Sequence, residues 1–424
     1  MSALEQLKVV CAPGRGELQP AQAVDGVDTI AEHLGVSVLK DGHALFSPPE
    51  TFVRSPMLTV PEPGDVYRGP KDLRAFNMAI PSFEEMGNTD TLTVKGGDLP
   101  HMRHLDEQLR TNTLSGRLRD GQIPGGGLLA PMLCERDAAL AIHATSLELT
   151  GELASVAIPL GVVAVRDIYA QGKWQSVQHY LNSADYASAN GQDILARSRI
   201  LGVPGSEALR FGDYLVDAHQ VLPAEYVYAV RGHNIRIQTL YDAFDFIAHD
   251  TQKDRVFRTV YGILGETYGF DPASVLPRQP ISDENYEAQR QVYIPERCAK
   301  QGIDELVVTA AIDRFTKVAA VVHSQQASLS GNPAVNGSFC PRNVTPTAVL
   351  DLDTYKQASG MQLGQAMKTD LWEMCASVEQ LAALVTPEPK YCMEKIMVRY
   401  LEYLMAFNTD RAVTDTLRLA QQLV

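Results

Sequence analysis

The chain has no C-x-x-C pair: its six cysteines, Cys11, Cys134, Cys298, Cys340, Cys375 and Cys392, are scattered along its length. That spacing excludes a zinc ribbon and a dense disulfide framework. Runs of lysine and arginine are also missing, and 51 acidic against 37 basic residues give a formal charge of −14. Non-specific nucleic-acid binding needs concentrated basic charge to neutralise phosphates and is not expected here. The longest apolar run, Ser155 to Val165, covers about half of the roughly 20 residues that a membrane-spanning helix needs. The opening MSALEQLKVVCAPG has no basic region leading into an apolar core, so the expected location is cytoplasmic, with no membrane span. Internal repeats of fixed period are absent too.

What is present is an ordinary globular composition, with 45% hydrophobic and 21% charged residues in 424. A chain of this size can bury a sizeable core in two or three domains, or in one elaborated two-lobed unit. Residues 1 to 88 are rich in breakers such as FSPPETF and TVPEPGD, which imply short strands and loops. TDTLTVKGG, from Thr89 to Gly97, alternates β-branched and polar residues and reads as a strand entering a turn. A polar segment ending in DGQIPGGG follows over 98–127, and the pattern from Leu128 to Ala154 is helical. VAIPLGVVAVRDIYAQGKWQSV reads as two short strands, and DILARSRIL as a third. Later segments show apolar spacing near 3.6, so a strand-rich first half precedes a helical second half.

Chemistry enters at VNGSFCPRNVTPTAVLDLDTY, Val335 to Tyr355, where Asn343 stands eight residues ahead of Asp351 across an apolar, hairpin-like run. Asparagine and aspartate are hard oxygen donors suited to Mg²⁺. In protein kinases such a pair holds the metal that bridges nucleotide phosphates, while a strand lysine holds those phosphates and a helix glutamate orients the lysine. Lys95 ends the strand LTVKGG, and Glu148 or Glu152 follows on the helix. Taken without that pattern, Lys95 reads as a strand-end surface lysine and Glu148 as the exposed face of an amphipathic helix.

The patches LTVKGG, SLELTGELASVAIPLGVVAV, ILARSRILGVPGSEALRFGDYL and VNGSFCPRNVTPTAVLDLDTY together resemble the selenoprotein O family of kinase-fold protein adenylyltransferases. The resemblance implies an α+β, protein-kinase-like two-lobed fold with a strand-rich N-lobe and a helical C-lobe. The N-lobe is then expected over 89–220, with an insertion at 98–127, and the C-lobe over 221–424, with the metal loop at 335–355. It implies ATP and Mg²⁺ as cofactors. Lys95 becomes the phosphate-holding lysine and Glu148, or Glu152, its partner. Arg199 and Arg210 become the arginines that reach the phosphates of an inverted ATP, so that AMP is transferred. Asn343 and Asp351, or Asp353, become the metal ligands.

Two positions depart from the family pattern. Arg342 stands where the family has its catalytic aspartate, and Asn336 stands before Gly337 where the family has histidine. An arginine accepts no proton, which excludes activation of a hydroxyl by that residue. A carboxylate needs no such base, and the guanidinium fork of Arg342 suits one. The expected activity is therefore nucleotidyl transfer, or activation of a carboxylate as an acyl-adenylate on a peptide or small-molecule acceptor. A catalytically degenerate, nucleotide-gated binding module and a self-assembling structural subunit are the alternatives.

Overall fold

A computed structural model describes residues 11–13, 16–19, 44–46, 59–67, 75–82, 89–95, 127–165, 167–170, 173–176, 223–246, 253–330, 337–357, 360–387 and 392–407. Arg199, Arg210, the strand expected at DILARSRIL and most of the 98–127 segment lie outside the described residues.

The fold mixes helices with a small antiparallel sheet. The strands in chain order are β1 (Cys11–Pro13), β2 (Gly16–Gln19), β3 (Ala44–Phe46), β4 (Val66–Tyr67), β5 (Ala75–Pro81), β6 (Thr89–Lys95) and β7 (Gly127–Leu128). After helix α1 (Leu129–Thr150) come β8 (Ile158–Val165), β9 (Asp167–Ala170), β10 (Lys173–Ser176) and β11 (Pro223–Val230). Seven of them form one sheet in the order β2-β8-β11-β6-β5-β4, with β7 also on β11, and all pairings are antiparallel. The expected two strands around AQGK are three, because β8 belongs to the main sheet while β9 and β10 form a separate hairpin.

Strand β11 lies beyond residue 220, where the sequence reading began the helical half, yet it sits in the middle of the sheet between β6 and β8. Its sequence PAEYVYAV is rich in Val and Tyr, the composition of a strand buried on both faces. Residues before 89 are likewise part of this sheet through β2, β4 and β5. Helix α1 covers one face, with Met132 packed in a cluster with Val162, Tyr226 and Tyr228.

The helical part comprises α2 (Ile237–Phe246), α3 (Lys253–Tyr268), α4 (Ile294–Lys300), α5 (Ile303–Ser324), α6 (Gly360–Ala382) and α7 (Met393–Phe407). Their apolar stripes share one core that includes Phe257, Tyr261, Phe315, Met374 and Tyr400 and reaches Ala138 and Ile142 of α1. None of the described helices is long and apolar enough to cross a membrane.

One face of the sheet carries an unusual group. Register sets Tyr67 opposite Asn77, and Asn77 opposite Thr93, so their side chains lie side by side. The Thr93 hydroxyl donates to Asn77 Oδ1 (2.8 Å), and Asn234 Nδ2 donates to Asn77 Oδ1 (2.9 Å) and to Thr93 Oγ1 (2.7 Å). The Asn234 backbone N–H donates to Tyr67 Oη (3.1 Å), and Thr91 Oγ1 donates to Gly232 O (2.8 Å). All five side chains are buried, which ties the sheet to the connector 231–236 through polar bonds rather than apolar packing.

Candidate functional site

Alternation along β6 puts Thr91, Thr93 and Lys95 on one face of the sheet. Lys95 lies opposite Ala75 on β5 and Tyr226 on β11. Its Nζ forms ion pairs with Glu135 on α1 and with Asp351 Oδ1 (2.6 Å), residues 40 and 256 positions away in the chain. Burial acts to lower the Lys95 pKa, but the charges of Asp351 and Glu135 outweigh it and hold it well above the ordinary lysine range. Burial works against the Asp351 anion too. The charge and hydrogen bond of Lys95 overcome it and keep the carboxyl well below the usual carboxylate range.

The helix partner expected for Lys95 was Glu148, with Glu152 as its alternate; the structure gives Glu135 instead. Glu148 is thirteen residues further along α1, about 20 Å up the axis and roughly 220° around it, and is exposed. Glu152 lies past the helix end and pairs with Lys317 (2.7 Å). A sequence signal for Glu135 did exist. Met132, Glu135, Ala139, Ile142 and Ser146 follow the spacing of a buried helical stripe, and an acid on such a stripe demands a cation.

The segment from Asn343 to Asp351 closes as the hairpin-like loop that the sequence suggests. Val344 and Val349 form an antiparallel bridge, and Leu350 N donates to Asn343 O (2.9 Å). Val349 also bridges Val156 in parallel, with Val349 N donating to Ser155 O (2.9 Å), so the loop is fastened to the entry of β8. Asp351 itself adopts φ 47° and ψ 63°. The left-handed region costs a non-glycine residue energy, and such strain clusters at functional sites.

Asn343 donates from Nδ2 to Gly337 O (3.1 Å), which leaves its Oδ1 as the acceptor available to a ligand. Arg342 is exposed in the turn that Asn343 N closes on Cys340 O (2.8 Å). Asp353 falls in the 3-10 turn Leu352–Thr354 after the loop. Gly337 N donates to Glu373 Oε1 (2.7 Å), and a side chain at 337 would collide with that carboxylate and with the Ser330 hydroxyl.

Behind this loop stands a buried aspartate on α6 that the sequence reading did not single out. Asp370 Oδ2 accepts from Leu329 N (3.1 Å), Ser328 Oγ (3.1 Å) and His323 Nε2 (2.9 Å), and its Oδ1 accepts from Ser330 Oγ. Tyr400 shares a hydrogen bond with His323 Nδ1 (2.8 Å), which links α5, α6 and α7 at one point. Lone histidine and aspartate residues in helical patterns carry no sequence signal that they will meet.

One lysine between two carboxylates leaves a single net negative charge, which attracts a cation and repels a bare phosphate. Among the described residues no three His, Cys, Asp or Glu side chains gather into a metal-binding group. Neither a scan against protein-family models nor a search of curated proteins returns a match to this chain.

Proposed function

We propose that this protein is a kinase-like nucleotide-binding protein that uses ATP and Mg²⁺ for nucleotidyl transfer, with a carboxylate as acceptor. The observation that carries the reading is the convergence of Lys95, Glu135 and Asp351. A lysine on the third of three consecutive antiparallel strands, a glutamate on the helix that follows and an aspartate beyond a short hairpin match the parts that position nucleotide phosphates in protein kinases. The α+β order, with the sheet preceding most of the helices, agrees with a two-lobed kinase-like arrangement.

The residues present fit the cofactors. Mg²⁺ needs few protein ligands, taking one or two carboxylates and completing its shell with water and phosphate oxygens. Asp351 and Asn343 Oδ1 would hold it, and Lys95, kept protonated by its neighbours, would hold the phosphates. When bound, the metal supplies charge neutralisation on the phosphates. Glu135 would retain Lys95 if Asp351 gave up the lysine to hold the cation. Arg342 is exposed and can form a bidentate pair with an incoming carboxylate, which attacks already ionised.

A second reading, a degenerate nucleotide-gated module, is favoured by Arg342, which accepts no proton and stands where the family has its catalytic aspartate. The experiment that separates the readings is thermal unfolding with and without ATP and Mg²⁺, combined with ATP/pyrophosphate exchange across a panel of carboxylates. Saturation at 100 times the dissociation constant adds about 2.7 kcal/mol. A shift in the parent that is lost in Asp351→Asn, together with exchange, is expected. A shift without exchange supports the degenerate module, and no shift in the parent overturns both.

A further inference from the structure

Glu373 lies one turn along α6 from Asp370, half-buried against the loop that carries Asn343. Between the two acids stands the buried Ser330 hydroxyl, within hydrogen-bond distance of Asp370 Oδ1 and of Glu373 Oε2 (3.2 Å). A hydroxyl has one proton to give, and an ionised carboxylate only accepts. Asp370 takes donors on both oxygens and returns none. Satisfying both contacts of Ser330 therefore needs one further proton, and Glu373 Oε2 is the atom placed to carry it.

Cations do not offset the two acids at this point. Among the described residues Glu373 has no ion pair with lysine, arginine or histidine, and the segment 331–336, GNPAVN, has no charged side chain. His323 meets Asp370 through its other oxygen, Oδ2. The titratable groups that face Glu373 are Asp370 on its own helix and the Cys340 thiol of the loop. Burial pushes the Glu373 carboxyl up, the Gly337 N–H opposes this, and the Asp370 charge adds to the rise. The same carboxyl reaches both proposed cation ligands through two consecutive residues. Its Oε1 accepts from Gly337 N (2.7 Å), the Gly337 carbonyl accepts from Asn343 Nδ2 (3.1 Å), and Ser338 Oγ donates to Asp351 O (2.8 Å).

We propose that Glu373 is a proton-linked positioning residue for Asn343: its protonated Oε2 donates to Ser330, Ser330 donates to Asp370, and Oε1 holds the Gly337 peptide that fixes the Asn343 amide. The inference rests on the reading of Asn343 and Asp351 as cation ligands. Loss of the proton leaves two anions facing one hydroxyl, and like charges close together repel. Glu373 is the half-exposed member of the pair, so it turns to water and lets Gly337 go. Cation binding therefore favours the protonated acid, the reverse of the usual competition between protons and metal for a carboxylate.

The first test is carbon-13 NMR of the full chain labelled at the glutamate carboxyls, without nucleotide. Glu373 is assigned as the signal missing from Glu373→Gln, or from Glu373→Asp if the glutamine variant does not fold. It is expected to titrate above the ordinary glutamate value of about 4.3. Ser330→Ala removes the acceptor of the neutral acid and is expected to lower that midpoint; if Ser330 instead donates to the ionised acid, the midpoint rises and the proposal fails. The second test is calorimetry with ATP and Mg²⁺ over a series of pH values. Relative to Glu373→Gln, which keeps a donor at every pH, the parent is expected to bind more weakly as pH rises, about tenfold for each unit by which cation binding raises the Glu373 pKa. An ordinary midpoint, or parallel pH profiles in parent and variant, would overturn the proposal. Absence of ATP and Mg²⁺ binding in the parent at every pH overturns the nucleotide reading and the positioning role together, while the NMR midpoint still decides the shared proton.

Discussion

Glu135 is buried beside Tyr226 with Lys95 as its cation, whereas Glu148 on the same helix faces water. Removing the charge partner of a buried acid typically costs about 3–5 kcal/mol, while an exposed substitution usually stays within about 0.5 kcal/mol. Lys95→Ala is therefore expected to lower the urea-unfolding free energy by about 3 kcal/mol or more, and Glu148→Ala to leave it nearly unchanged. Equal effects would show that α1 is rotated from the orientation described. The pairing of Lys95 with Asp351 was only half legible in the sequence. Each residue stands out alone, by the strand-end position of one and the Asn343 spacing of the other, but nothing local joins positions 256 apart. For Glu135 the stripe signals that a cation is needed, but which cation is fixed only once the opposing strand is known.

Elements of regular period were the easiest to read. Strand β6 from its β-branched alternation, α1 from the helical pattern over Leu128 to Ala154, and the long α5 and α7 all follow from patterning. Strand β11 did not, because a strand buried on both faces shows no alternation. The loop that joins α5 to the Asn343 segment depends on a group no periodicity reveals: Asp370, with both oxygens taken by the 328–330 backbone and hydroxyls and by His323. Asp370→Ala orphans these donors at once. It is expected to cost more than 3 kcal/mol in urea unfolding and, in hydrogen exchange, to deprotect the Leu329 amide ahead of the core of α5.

At the scale of the whole molecule, acid stability offers a direct check on how α1 is packed. His143 is fully buried, with Nε2 3.0 Å from Ala157 O, and burial pushes its pKa down from 6.5 to about 4. In the unfolded chain the ring takes up its proton near pH 6.5, while in the folded protein it resists until about pH 4. The unfolded state thus binds more protons across that window. Stability is fully retained above pH 6.5 and is lost as pH falls towards 4, by up to about 3 kcal/mol. Urea unfolding at a series of pH values should show this slope in the parent and a flatter one in His143→Gln. An unchanged slope in the variant would mean that the histidine is already charged or already wet in the folded state. The α+β architecture was legible from the sequence because it sums many local patterns, while the strand order was not, since it follows from long-range pairing.

The central place of β11 has a consequence for biosynthesis. As the chain leaves the ribosome, β6 and β8 are complete long before residues 223–230 exist, and it is β11 that lies between them. A nascent chain of about 200 residues therefore holds two strands with open edges on the sides meant for each other's neighbour, and such edges recruit other chains. The sheet can close only after residue 230 has been made, and Lys95 meets Asp351 later again. Closure of the sheet in the first half of this protein therefore waits until about the midpoint of synthesis, and truncations that stop before β11 should be recovered as aggregates rather than as a stable sheet.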